Sequence, residues 1–147
     1  MKNFEIKLIN SKLTHNIRSQ VLWPHKELKD CIISQDNSKS TFHLGVFLKS
    51  DIVSVGTFIK EKNNTFNINN QYRLRAMATS KNYQGKSMGQ MLINFAIKYL
   101  REKNIKILWC DARKVAITFY KKSGFKTHGE YYYIPKIGLH KLMYIYL

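Results

Sequence analysis

Cysteine, proline and acidic side chains are all scarce in this sequence. The two cysteines, Cys31 and Cys110, stand 79 positions apart, and no Cys-x-x-Cys pair occurs. None of the five histidines has ligand spacing beside a cysteine. These absences speak against a disulfide framework and a structural zinc site, so both cysteines read as buried free thiols and no metal is expected. With only Pro24 and Pro135, the chain has no proline-rich linker. It has no run of about 18 apolar residues, which is what a membrane-spanning helix needs. The first residues, Met1-Lys2-Asn3-Phe4-Glu5, alternate polar and apolar instead of forming the apolar core of a secretion signal. A cytoplasmic protein without a membrane partner is the expectation.

Hydrophobic residues make up 44% of the 147 positions, enough for a packed interior. The length fits one domain over 1–147. Acidic residues number 9 against 25 Lys and Arg, a net charge of +16. The surplus is uneven. Residues 71–147 hold 15 basic and 3 acidic side chains, whereas residues 1–70 hold 10 and 6. The second half should attract an anion. Nucleic acid, an acidic membrane surface and a polyphosphate cofactor all satisfy that condition.

Phe4, Ile6 and Leu8 alternate as in a strand. Leu13, Ile17 and Val21/Leu22 recur at helical spacing until Pro24. Residues 25–41 are polar and read as a loop with a short helix. Strands are expected near His43–Lys49 and Ile52–Lys60, joined by a turn at Ser50-Asp51. After an asparagine-rich loop, Tyr72–Thr79 reads as a strand and Ser80–Ser87 as a polar loop. Met88, Leu92, Phe95, Ala96, Tyr99 and Leu100 form one helical stripe, which Asn104 closes. A strand at Ile105–Cys110 and a short helix at Lys114–Lys122 follow, the helix stopping at Gly124. Strands near Phe125–Tyr133 and Leu139–Leu147 complete a mixed α/β pattern with an antiparallel start and a strand–helix–strand crossover.

The loop before the long helix carries chemistry. A helix N-terminus exposes unpaired N–H groups and partial positive charge, and small residues admit a phosphate to the main chain. Gln84, Gly85, Lys86, Ser87, Met88 and Gly89 lie at that junction, with Lys81 adding charge. A Walker A loop would need a glycine five positions before Gly85, where Ser80 stands. Two readings stay open on the segment alone: a basic solvated turn, or a pyrophosphate cradle.

Arg73–Ala78 followed by Tyr83-Gln84-Gly85-Lys86-Ser87-Met88-Gly89 resembles motif A of the GNAT superfamily of N-acetyltransferases. Gln84 and Gly89 match the ends of that motif, while Ser87 takes a position that is usually glycine. Trp109–Arg113 and Ala116-Ile117-Thr118-Phe119-Tyr120-Lys121-Lys122-Ser123-Gly124-Phe125 resemble motif B, about thirty residues later as in the family. Tyr133–His140 is similar to a tail found in one bacterial subgroup. The resemblance covers residues 42–147 well and residues 1–41 weakly. It implies a GNAT-like fold: a central mixed, mostly antiparallel sheet of about seven strands, helices on both faces, and splayed fourth and fifth strands. It also implies acetyl-CoA as co-substrate. Backbone groups of Met77, Ala78 and Thr79 would pair with the pantetheine arm, and N–H groups from Gln84 to Gly89 would hold the pyrophosphate. Arg113 and Phe119 join the coenzyme-binding candidates.

Acetyl transfer needs a neutral amine, a stabilised oxyanion and a protonated leaving thiolate. A main-chain N–H such as that of Ala78 could serve the oxyanion. By the resemblance, Tyr120 is the candidate general acid; on spacing alone it reads as a core aromatic. A phenol near pKa ~10 can protonate a thiolate whose conjugate acid is near ~8.5 only slightly uphill. The base is left among Glu130, His140, Asp111 and water. Cys110, flanked by Leu108 and Trp109, reads as buried rather than nucleophilic. The acceptor would be a small-molecule or peptide amine, with a homodimer left open. The competing classes are a non-enzymatic basic nucleic-acid-binding module and a GNAT-fold protein using another acyl-CoA.

Overall fold

The chain is described as a computed structural model covering residues 3–147. Seven strands, β1 (Phe4–Ile9), β2 (Phe42–Leu48), β3 (Asp51–Lys60), β4 (Gln71–Thr79), β5 (Ile107–Arg113), β6 (Lys126–Ile134) and β7 (Gly138–Tyr146), lie in one sheet in the order β1-β2-β3-β4-β5-β7-β6. The pairs β1–β2, β2–β3, β5–β7 and β6–β7 run antiparallel. β4 and β5 run parallel through Gln71↔Ile107, Tyr72↔Leu108 and Arg73↔Trp109. This is the mixed, mostly antiparallel GNAT-like sheet that the sequence implied.

The chain divides into two compact units. One comprises the N-terminal stretch through Lys60 and Leu74–Ala96; the other comprises Glu61–Arg73 and Ile97–Leu147. In the first, Ile17, Val55 and Ala78 form a buried cluster with Ile9, Val21, Leu22 and Ile52 packed on it. β3 is buried from Val53 to Ile59, on both of its faces, with Ser54 and Thr57 enclosed among its apolar side chains. Phe58 stacks on Phe42 of β2 with ring centroids 4.8 Å apart. In the second unit, Phe66, Ile107, Trp109 and Leu142 make the core, with Ile68, Tyr132 and Tyr144 against it.

The long helix α2 (Met88–Glu102) buries Met88, Leu92, Ala96 and Leu100 of the expected stripe together with Ile93 and Ile97, whereas Phe95 and Tyr99 are only half-buried. It ends where Asn104 takes φ 61° and the Ile105 N–H closes onto the Leu100 carbonyl at 3.1 Å. That closure, with the Lys106 N–H donated to the Asn70 carbonyl, delays β5 to Ile107, two residues later than the sequence suggested. The second short helix opens as a 3-10 turn, Lys114–Ala116, before α3 (Ile117–Lys122). Gly124, at φ 97°, terminates it as expected.

The first helical region departs from the sequence reading. It is a 3-10 turn (Ser11–Thr14), one α turn (His15–Ile17) and a π turn (Arg18–Leu22) instead of a regular helix. Leu13 is 48% exposed, so it does not belong to the buried stripe. The cause is Arg18, fully buried in place of an apolar residue. Its Nη1 and Nη2 donate to the two Asp36 carboxylate oxygens at 2.7 and 2.8 Å, to the Cys31 carbonyl at 3.0 Å and to Thr57 Oγ1 at 2.7 Å. The segment read as a polar loop therefore supplies a buried counter-ion. His43 joins the network: Nε2 lies 2.9 Å from the Asp36 carbonyl and Nδ1 2.8 Å from Thr57 Oγ1. A carbonyl only accepts, so Nε2 carries the proton and Nδ1 accepts from the threonine. Burial holds His43 below its ordinary pKa and keeps it neutral. Burial alone would push Asp36 up. The Arg18 hydrogen bonds, the Ile33 N–H and the guanidinium charge outweigh it and hold the carboxyl below its ordinary value.

Candidate active site

The first unit carries the anion-binding candidates. Ala76 takes φ 50° inside β4, a conformation costly for a residue with a Cβ, and it kinks the strand just before Met77. Ala78 is buried and its carbonyl accepts from Ser54 Oγ at 3.2 Å. The Ser54 and Thr79 hydroxyls lie 2.8 Å apart, and the Ser80 N–H donates to the Val53 carbonyl at 2.8 Å. These bonds fix the end of β4 onto β3.

The Gln84 side chain turns back and donates to the Thr79 carbonyl at 2.9 Å, tying the loop to the strand. Gly85 has φ 74° and open space where a Cβ would sit. Ser87, in the usual glycine position of the motif, adopts φ 68°, the left-handed angle a glycine takes freely. Its carbonyl accepts the Met91 N–H at 3.0 Å, so α2 starts on it. Gln84 through Ser87 are exposed, whereas Met88 is buried and anchors the helix start. Gly89 lies half-buried in the first turn. The Lys86 ammonium sits 5.6 Å from the Tyr83 ring centroid. The first N–H groups of α2 have no intrahelical acceptor, and the dipole there favours an anion.

The second unit carries the acid–base candidates. Side chains of β5 alternate between faces, with Cys110 on one and Trp109 and Asp111 on the other; Cys110 and Trp109 are both buried and Asp111 half-buried. Tyr120, on α3, is buried between Phe119 and Phe125, with ring centroids at 5.1 and 5.3 Å. Its hydroxyl is hydrogen-bonded to Cys110. Burial, then the neighbouring Cys110 and the hydrogen bond to it, raise the phenol well above its ordinary pKa; Arg113 opposes them. Burial likewise pushes the Cys110 thiol up, so it stays protonated. Arg113 is half-buried at the end of β5, and its register partner on β7 is His140.

On the other face of β5, the Arg73 guanidinium lies over the Trp109 ring at 5.0 Å. It donates to Asp111 Oδ2 at 2.6 Å and to Glu61 Oε2 at 3.0 Å. The Tyr132 hydroxyl donates to Asp111 Oδ1. Burial and that bond push Tyr132 up. Both carboxylate oxygens of Asp111 are thus engaged. His140 is buried, stacks on Tyr132 at 6.2 Å and holds Nδ1 2.8 Å from the Gly138 carbonyl. That contact places the proton on Nδ1, so Nε2 carries the lone pair. Glu130 is exposed in the irregular stretch of β6 between His128 and Tyr132. As the alternation required, Tyr132 is half-buried while Tyr131 and Tyr133 are exposed.

Glu61, which closes the Arg73 cluster, escaped the sequence reading. Only its rarity as an acid in so basic a chain could have marked it. Among the described residues, no group of three His, Cys, Asp or Glu side chains could hold a metal ion, and no helix is long and apolar enough to cross a membrane.

Comparison with known proteins places these features. The family model for the acetyltransferase (GNAT) family matches residues 11–125. The uncharacterized N-acetyltransferase YitI of Bacillus subtilis (strain 168) is 36% identical over 140 residues, covering 95% of this chain and 94% of YitI. A crystal structure of a candidate N-acetyltransferase from Lactobacillus plantarum superposes with TM-score 0.82 at 15% identity, over 98% of each chain. An aminoglycoside 6'-N-acetyltransferase complexed with coenzyme A gives TM-score 0.77 at 10% identity, over 97% of this chain and 96% of the other. The two structures establish the fold, and the family match and the YitI relationship establish the lineage: the chain belongs to the acetyltransferase (GNAT) family and is an acyltransferase.

Proposed function

We propose that the chain transfers an acetyl group from acetyl-CoA directly to a primary amine of a small molecule or peptide, the whole of 1–147 acting as one catalytic domain. The carrying observation is the turn at Gly85–Met88. Ser87 is held at φ 68°, so a serine reproduces the backbone that motif A builds with glycine. In this reading, N–H groups from Gln84 to Gly89 hold the pyrophosphate, with Lys86 adding charge. Backbone groups of Met77, Ala78 and Thr79 hold the pantetheine arm beyond the Ala76 kink, and Arg113 and Phe119 contribute to coenzyme binding.

Tyr120 protonates the leaving thiolate. Burial raises its pKa, so the phenol is a weaker acid than a free tyrosine and its phenolate must be stabilised as the thiolate takes the proton. For the base, the contacts favour His140 over the other two side chains, with a water relay as the remaining alternative. Asp111 has both oxygens occupied and Glu130 is exposed, whereas His140 presents an oriented Nε2 lone pair. Isothermal titration with acetyl-CoA and CoA, followed by thiol release with a panel of primary amines, tests the proposal. Saturable binding of both and amine-dependent release are expected. A folded protein that takes up neither nucleotide would overturn it. Release with a longer acyl-CoA alone would replace acetyl by that group. A salt-sensitive gel shift without coenzyme uptake would favour the nucleic-acid-binding alternative.

A further inference from the structure

Cys110 does not touch the reacting groups, yet its sulfur is the hydrogen-bond partner of the Tyr120 hydroxyl. Both groups are buried, and the tyrosine ring is fixed on its flanks by Phe119 and Phe125. The backbone is fixed as well. The Phe125 N–H donates to the Tyr120 carbonyl at 3.0 Å, and Cys110 is held in the β5–β7 ladder opposite Met143. Between two buried groups the orientation of a phenol O–H is set by the polar atom it bonds.

We propose that Cys110 is a positioning residue that aims the Tyr120 hydroxyl and steadies the phenolate left when that hydroxyl gives up its proton. The inference rests on the reading of Tyr120 as general acid. At rest, the Tyr120 O–H donates to Cys110 Sγ. During turnover the phenol O–H bond breaks, an S–H bond forms on the departing thiolate, and the Cys110 S–H turns to donate to the phenolate oxygen. The phenolate recovers its proton from the one the amine nitrogen releases, so the cycle balances. Burial keeps the thiol protonated, which suits a donor and disqualifies a nucleophile.

The test is a double-mutant cycle between Cys110→Ala and Tyr120→Phe, with Cys110→Val as a second apolar replacement that leaves less of a void. Steady-state kinetics with acetyl-CoA and a working amine would be read for kcat and KM separately. Cys110→Ala and Cys110→Val should each lower kcat about three- to ten-fold, the range one hydrogen bond supplies, with KM for acetyl-CoA little changed. Cys110→Ser, which keeps a donor and acceptor there, should recover most of the loss. In the Tyr120→Phe background the alanine replacement should cost nothing further. An equal loss in both backgrounds, or full activity in both apolar variants, would overturn the role of Cys110. Unchanged turnover in Tyr120→Phe alone would instead remove the reading of Tyr120 on which it stands.

Discussion

Two side chains, Tyr120 and Arg18, mark what a one-dimensional reading captures and what it misses. The position of Tyr120 was legible because motif B fixes it, with a phenylalanine before it and Gly124 and Phe125 behind it; its role as general acid is the reading proposed above. Replacing it by phenylalanine should lower turnover ten-fold or more, general acid steps being worth about 10²–10⁴, while calorimetry shows coenzyme affinity intact. Arg18 was not legible. Nothing in the sequence distinguishes an arginine that salt-bridges inside the core from one that faces water, and its partner lies 18 residues away in a stretch of polar composition. Asp36→Ala would strand the buried guanidinium. We expect a loss of about 3–5 kcal/mol in urea unfolding, and recovery of much of it on adding Arg18→Met, since the unpaired charge is the main cost. A small loss in the single variant would mean that water reaches Arg18.

At the scale of elements, strands and the long helix followed from patterning because each has one apolar face or a continuous apolar run. The two-residue delay of β5 did not, because it comes from hydrogen bonds that Ile105 and Lys106 make elsewhere. The broken first helix did not either, because a polar residue holds its buried position. The loop before α2 was read from composition, but its conformation was not. Gln84 anchors the loop through its side chain, and Ser87 bears the left-handed angle. Relieving that angle with Ser87→Gly should raise stability by roughly 0.5–1 kcal/mol and leave coenzyme affinity equal or tighter. A β-branched Ser87→Val should weaken it. Thermal unfolding and calorimetry on the pair decide, and weaker binding in the glycine variant would refute the account of the turn.

For the whole molecule, charge and acid sensitivity follow from the same inventory. Asp36 is held below its ordinary 3.8, so its contribution is complete above that value and disappears as pH falls through the folded one. His43 is held below its ordinary 6.5. The unfolded chain therefore takes up a proton before the folded one does, and stability falls as pH drops below about 6.5. Both act in the same direction. Denaturant midpoints should fall between pH 7 and 5, and His43→Gln should flatten that part of the curve. A flat wild-type profile would contradict the burial of a neutral imidazole. The net charge of +16 predicts that acetyl-CoA binding weakens by at least about three-fold between 50 and 500 mM salt.

Strand β6 lies at one end of the sheet, and Gly129 at φ 75° breaks its register between His128 and Tyr132. An open rim of this sort is where a second chain could zip on and seed fibrils. The break spoils the template, and lysines at 126 and 136 bracket the strand. The outermost strand is thus shaped against runaway polymerisation, which matters for a chain rich in aromatic residues.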